Sequence, residues 1–190
     1  MSKIQIDRNA SIYPMPVVLV GAMVNGRPNF MAAAWVTRVN YAPPLVGVCV
    51  GASHYTHVGI QAHGQFSVNI PGSDLVEATD YCGLVSGKDV DKSACFETFV
   101  GALEFAPMIA ACPLTMACRV TQAVSLPSDT LFIGEIVAAY TEERYLSDGK
   151  PDVHKMQPFV LTMPDNNYWD VGRHVGKAWS IGKEFRPKGR

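Results

Sequence analysis

Val17-Val18-Leu19-Val20-Gly21-Ala22-Met23-Val24-Asn25-Gly26-Arg27-Pro28-Asn29-Phe30-Met31-Ala32-Ala33-Ala34-Trp35 decides how this chain folds. Residues 17–24 are an apolar run, broken only by Gly21, of the length of one buried strand. Asn25-Gly26 readily takes φ > 0 and, with Arg27-Pro28, reads as a turn that sends the chain back. Residues 30–36 then return as a second strand. Alanine is a poor strand former, so Ala32-Ala33-Ala34 asks for a reason. Small side chains either pack closely on another element or leave backbone open to a flat ligand beside Trp35.

Downstream, Ala42-Pro43-Pro44 breaks the chain and residues 45–50 form a short apolar strand. Residues 55–62 read as a short helix, with Ser53 as its candidate N-cap. Gln65-Phe66-Ser67-Val68-Asn69-Ile70 alternates polar and apolar, which predicts a half-buried strand ended by Pro71-Gly72. Asp74 opens a second helix through about Leu84, with Glu77 placed as a capping-box partner. Leu114, Met116, Cys118, Val120 and Val124 are expected on one face of a long strand. Residues 130–140 make another, across a Pro127-Ser128-Asp129 turn, and residues 159–163 a last short one. Strands do not alternate with long helices, which argues against a doubly wound parallel sheet. A mainly β antiparallel barrel with a few short helices laid across it fits better. With no internal repeat, low-complexity segment or linker, residues 1–190 are read as a single domain.

Bulk properties narrow the function. Of 190 residues, 48% are apolar and 17% charged, so a well-packed core is expected. A net charge of −1 gives no support for a nucleic-acid or anionic-membrane partner. Arg186, Lys188 and Arg190 make only the C-terminal end basic. No run approaches the roughly 18 apolar residues of a membrane span, and residues 1–7 hold no apolar signal core, so the expected location is cytoplasmic. The five cysteines, Cys49, Cys82, Cys95, Cys112 and Cys118, include no CxxC pair and are expected as free thiols. GxGxxG and GxSxG are absent, so neither a Rossmann site nor a nucleophile elbow is encoded. His54 and His57 sit one helical turn apart, but HExxH is absent and no carboxylate follows at useful spacing, so no metal site is expected.

Four groups of residues can carry chemistry. Ser53-His54-Tyr55-Thr56 stands at a helix start, where unpaired N–H groups and a partial positive charge favour anions; ordinary capping by Ser53 explains it equally. Ser86-Gly87-Lys88, with Lys92, offers a hydroxyl and two ammonium groups in a glycine-containing loop, although it is no Walker A motif. Tyr168-Trp169, followed by Gly172-Arg173-His174 and Gly176-Lys177, can wall a pocket or pack at an interface. The fourth is the alanine run with Trp35.

In order and spacing these pieces resemble the flavin reductase-like family. The resemblance runs from Tyr13-Pro14-Met15-Pro16 to Lys183 and includes Asn29-Phe30-Met31-Ala32-Ala33-Ala34-Trp35, Pro43-Pro44-Leu45-Val46, Tyr55-Thr56, residues 64–71, Ser86-Gly87-Lys88 with Asp91-Lys92, and the Tyr168-Trp169 tail of the flavoredoxin-like branch. It implies an FMN-binding split β-barrel, Greek-key-like and usually homodimeric. It also implies that Ala33, Ala34 and Trp35 line the isoalloxazine while Ser53, His54, Tyr55 and Thr56 hold the phosphate. Ser86, Gly87, Lys88 and Lys92 would close over that phosphate, and Tyr168 and Trp169 would cover the ring. Many relatives carry Arg or Lys where this chain has His54, which makes the phosphate contact sensitive to pH. The implied activity is NAD(P)H-dependent flavin reduction, with hydride passing from NADH or NADPH to the flavin and no catalytic side chain required. A flavoredoxin-like electron carrier reduced by a redox protein is the second reading. A flavin-free binding barrel is the third.

Overall fold

The fold follows from how the first hairpin is completed. The computed structural model describes residues 2–186, so Lys188 and Arg190 of the basic end lie outside the described residues. Strand β1 (Val18–Val24) turns through Asn25 and Gly26, at φ 50° and 76°, into β2 (Arg27–Ala33). Both turn residues are left-handed, as a two-residue hairpin of matching twist requires. β3 (Val36–Asn40), β4 (Leu45–Gly51), β5 (Gln65–Ile70), β6 (Leu114–Ser125) and β7 (Asp129–Thr141) complete one antiparallel sheet. Its spatial order is β2-β1-β5-β6-β7-β4-β3.

This sheet curls into a split β-barrel. Val18 and Val20 of β1 share one buried cluster with Val46, Val48 and Val50 of β4, near the opposite end of the strand order. Phe66, Val68, Cys118 and Phe132 fill the same interior, and Ile60 of helix α1 (Tyr55–His63) plugs it. Each large side chain so buried contributes about 1.5–3 kcal/mol. Gly59 lets α1 lie close against β1: a Cβ there would come within 2.4 Å of the Met23 carbonyl oxygen.

A second layer covers the outside of β1, β2 and β5. Helix α2 (Val76–Leu84) and the loop leading to β6 bury Leu19, Phe30, Cys82, Ile109 and Cys112 together. This layer corrects the half-buried reading of β5. Its polar side chains do not face water: Ser67 and Asn69 are wholly buried. Asn69 Nδ2 donates to Leu19 O at 2.9 Å and its Oδ1 accepts from Ile109 N at 3.0 Å, while Ser67 Oγ donates to Pro107 O. Strict alternation recorded the two faces correctly, but the polar face is satisfied by backbone rather than solvent.

Other boundaries differ for local reasons. The strand expected over residues 30–36 is two strands, because the chain leaves the sheet at Ala34-Trp35 and re-enters as β3 beside β4. Val124 does not share the face of Leu114, Met116, Cys118 and Val120. Thr121 is an extra residue between the pairs Gly134–Val120 and Ile133–Gln122, so alternation inverts and Val124 is exposed. Asp74 and Glu77 form no capping box: a 3-10 turn, Ser73–Leu75, precedes α2, whose N-cap Leu75 makes no side-chain cap bond. Past the barrel lie a short helix (Val153–Met156), β8 (Phe159–Thr162) and β9 (Asn167–Asp170); β9 was not expected. β8 pairs with both β9 and Met15–Pro16. Among the described residues, no helix is long and apolar enough to cross a membrane.

Candidate functional site

Helix α1 starts in a tight corner. β4 ends at Gly51, and His54 is the N-cap of α1, in extended conformation and without a side-chain cap bond. Ser53, expected to cap the helix, stands one residue earlier, so its hydroxyl is not committed to that role. The first N–H groups of a helix have no intrahelical acceptor and carry partial positive charge. The His54 imidazole rests on Gly51, where a Cβ would come 3.1 Å from the ring. Thr56 is buried, and its Oγ1 accepts from Asn29 Nδ2 at 2.7 Å, leaving the hydroxyl hydrogen free to donate. Tyr55 Oη accepts from Asn25 Nδ2 at 2.9 Å, tying the helix start to the first hairpin turn.

A strap, Ser86-Gly87-Lys88, folds onto this corner. Ser86 shapes it: the Ser86 hydroxyl accepts from Lys88 N at 3.2 Å, and its carbonyl accepts from Asp89 N at 3.0 Å and Val90 N at 3.1 Å. Gly87 lies so close beneath that an added Cβ would sit 1.9 Å from Asn29 Oδ1 and 2.8 Å from Tyr55 Cδ1. Only a residue without a side chain lets the strap reach the helix corner.

Between strap, α1 and α2 lies a cavity of about 480 Å³. Ser53, His54, Tyr55 and Thr56 line one side, Ser86, Gly87 and Lys92 another, and Met31 and Ala32 the β2 wall. Lys92 is 4% exposed and donates to Cys82 O at 2.8 Å. An ammonium carries three donors, and this is the one hydrogen bond of the Lys92 ammonium among the described residues. Burial lowers its pKa, opposed by the thiols of Cys82 and Cys95. Burial likewise pushes the Cys82 thiol up to about 11, against the pull of Lys92. The polar part of the lining is therefore a set of hydroxyl and N–H donors with the ammonium of Lys92, which suits an anion.

Seven of the expected site residues thus meet in one cavity. Lys88 turns to the far side of the strap and lines a neighbouring cavity. Ala33, Ala34, Trp35, Tyr168 and Trp169 line neither. Ala33 packs against the barrel interior. Trp35 is half exposed, and its carbonyl accepts from Cys49 N at 2.9 Å. Tyr168 packs edge-on to Phe159 and donates to Asp80 Oδ1 at 2.8 Å, while Trp169 Nε1 donates to Thr162 Oγ1 at 2.9 Å. Burial, with Asp80 beside it, raises the Tyr168 phenol to about 12. Sequence reading missed Asn29 and the end of α2, residues 82–84, as cavity walls, and within the alanine run it chose Ala33 and Ala34 where the wall is Ala32. The signal for Ala32 was available: β2 alternates, and a Cβ on Gly83 of α2 would lie in ordinary contact with the Ala32 methyl, at 3.4 Å.

Comparison with known proteins gives the same direction. Residues 10–161 match the sequence profile of the Flavin reductase like domain. An uncharacterised protein of Archaeoglobus fulgidus is 34% identical over 145 residues, 75% of this chain and 81% of that protein. The crystal structure of flavoredoxin from Methanosarcina acetivorans superposes with a TM-score of 0.95 at 56% identity, covering 96% of this chain and 98% of that one. Flavoredoxin of Desulfovibrio vulgaris (Miyazaki F) gives 0.89 at 33% identity, over 96% of this chain and all of that one (100%).

Proposed function

Since this chain belongs to the flavin reductase-like family, we propose that it is an FMN-dependent redox protein and that the strap-covered cavity holds the FMN phosphate. The observation that carries the proposal is the Lys92 ammonium, buried between the strap and the start of α1 with N–H donors to spare. A phosphate accepts from Lys92, from the hydroxyls of Ser53, Thr56 and Ser86, and from the first N–H groups of α1. The Gly87 cradle closes over it, and Lys88 adds charge from outside. Ala32 and Met31 supply the apolar surface next to the phosphate end. Ala33, Ala34, Trp35, Tyr168 and Trp169 are the proposed walls of the ring site, completed across a homodimer. Exposed Trp35, Tyr41, Leu84 and Trp169 support that pairing as apolar surface left uncovered on one chain. Sedimentation measures it directly: a species of one chain's mass ends the dimer reading.

FMN, when bound, supplies the two-electron chemistry at its ring. The chain's part is to fix the phosphate.

The likeness to two flavoredoxins supports the electron-carrier reading, in which a redox protein donates the electrons. The family profile itself favours the other reading, hydride from NADH or NADPH in a flavin reductase. Anaerobic mixing of FMN-loaded protein with each nucleotide separates them. Flavin that stays oxidised for minutes with both nucleotides, yet bleaches with a reduced redox protein, supports the carrier; rapid bleaching by either nucleotide overturns it.

A further inference from the structure

Cys82 and Cys95 bracket the strap. Ser86-Gly87-Lys88 and Lys92 all lie between them in the chain, and both cysteines are free thiols. Cys82 is buried near the end of α2, where it lines the strap-covered cavity. Cys95 is half-buried at the end of a 3-10 turn, Lys92–Cys95. Asp91 caps that turn, its Oδ1 accepting from Ser93 N at 3.0 Å and from Ser93 Oγ at 2.6 Å. Just beyond the turn, Phe96 packs on the cluster that contains Cys82 and lies edge-on to Phe30. Side chains three apart eclipse in a 3-10 turn, so Lys92 and Cys95 leave it on one edge. Lys92 Nζ donates to Cys82 O at 2.8 Å, and the Cys95 thiol reaches the Cys82 thiol beside it. Two sulfurs from different elements thus meet next to one ammonium.

We propose that Cys82 and Cys95 are an oxidative modification site, a dithiol that a hydroperoxide closes into a disulfide, and that the closed bond locks the strap over the cavity. Cationic surroundings mark reactive cysteines, and the Lys92 ammonium supplies them here. Cys95, the less buried of the two, reacts first. Its sulfur attacks hydrogen peroxide: an S–O bond forms, the O–O bond breaks, and the departing hydroxide leaves as water with the Cys95 proton. Burial pushes the Cys82 thiol up to about 11, which suits it to the second step. Its sulfur attacks that of Cys95, the S–S bond forms, the S–O bond breaks, and the hydroxyl leaves as a second water with the Cys82 proton. The two thiols lose two electrons and two protons, and one peroxide becomes two waters. A dithiol reductant reverses the bond by exchange. The disulfide closes residues 82–95 into a ring that holds both the strap and Lys92. Closing such a ring removes chain entropy that favours a lifted strap. The disulfide itself depends on this chain's residues alone, whereas its effect on a bound flavin rests on the FMN-phosphate reading.

The test treats the full chain with hydrogen peroxide, removes the excess with catalase, blocks the remaining thiols and maps the bonds by peptide mass spectrometry. A link between Cys82 and Cys95 of one chain is expected, with Cys49, Cys112 and Cys118 recovered as blocked thiols. Amide hydrogen exchange over residues 86–90 of the flavin-free protein is expected to slow about tenfold on oxidation, and so is FMN release from the loaded protein. Dithiothreitol restores both. Cys95→Ser is expected to abolish the link and both changes while its FMN affinity under reducing conditions stays that of the unsubstituted chain; Cys95→Ala gives the same answer should the serine variant fail to fold. Cys49→Ser, which removes another half-buried thiol, leaves the link and both changes in place. No link, a link to another cysteine or between two chains, or a link that leaves strap exchange or FMN release unchanged overturns the proposal. A link that slows strap exchange in a protein taking up no FMN sinks the flavin site alone, whereas FMN uptake without the link sinks this inference alone.

Discussion

Gly87→Ala separates the strap from the fold that carries it. Gly87 is not in the left-handed region, so backbone freedom is not why glycine stands there. Close approach is the reason: the new methyl would lie 1.9 Å from Asn29 Oδ1, 2.8 Å from Tyr55 Cδ1 and 2.9 Å from Asn29 Cγ. Asn29 is buried and bonded to Thr56 at 2.7 Å, so it yields only by losing that bond, at about 0.5–1.5 kcal/mol. The strap is partly exposed and yields more easily. Overpacking of this kind costs about 1–3 kcal/mol. If the strap lifts, the cost falls on phosphate binding, and FMN affinity drops about 5- to 150-fold. Thermal stability without FMN changes little. Gly172 has open space around the position of a Cβ, so Gly172→Ala is the matched control. Flavin fluorescence titration gives affinity, and melting of the flavin-free protein gives stability. Unchanged FMN affinity in Gly87→Ala, or an equal loss in Gly172→Ala, refutes the strap argument.

Lys92→Met should weaken FMN at least tenfold yet spare riboflavin, which has no phosphate; paired titrations check it. Asn69→Ala strands the Ile109 N–H and the Leu19 carbonyl, each at about 1–3 kcal/mol, and should lower the urea midpoint sharply. Gly59→Ala pushes α1 off the Met23 carbonyl and should cost about 1–3 kcal/mol in the same assay. His57 is buried, with Nε2 2.9 Å from Thr130 Oγ1, and burial, then the charge of His54, holds its pKa below the ordinary 6.5. The unfolded chain therefore binds the proton more readily, so this stability is complete above 6.5 and is lost as pH falls from 6.5 through the folded value. His57→Gln should flatten that part of the stability–pH curve, measured by urea unfolding between about pH 5 and pH 7.

Much of this was legible in the chain because the governing effects are local. Asn25-Gly26 names its own turn, and the apolar run before it has one plausible burial. The helix corner at Ser53 to Thr56 and the strap at Ser86 to Lys88 were visible as donor-rich segments. What stayed hidden depends on non-local partners. Ser67 and Asn69 look solvent-facing until a loop some forty residues on accepts and donates to them. The Thr121 bulge inverts a face without leaving a mark in hydropathy. Asn29 is a cavity wall because Thr56 and Gly87 come to it, and Lys88 lines the neighbouring cavity on the far side of the strap because Gly87 pins the strap.

The claim that the strap-covered cavity is a flavin phosphate site is tested most directly by titrating the flavin-free protein with FMN and riboflavin side by side. FMN is expected to bind at one equivalent per chain and riboflavin far more weakly, with the difference lost in Lys92→Met. No uptake of FMN, or equal affinity for the two flavins, contradicts the account.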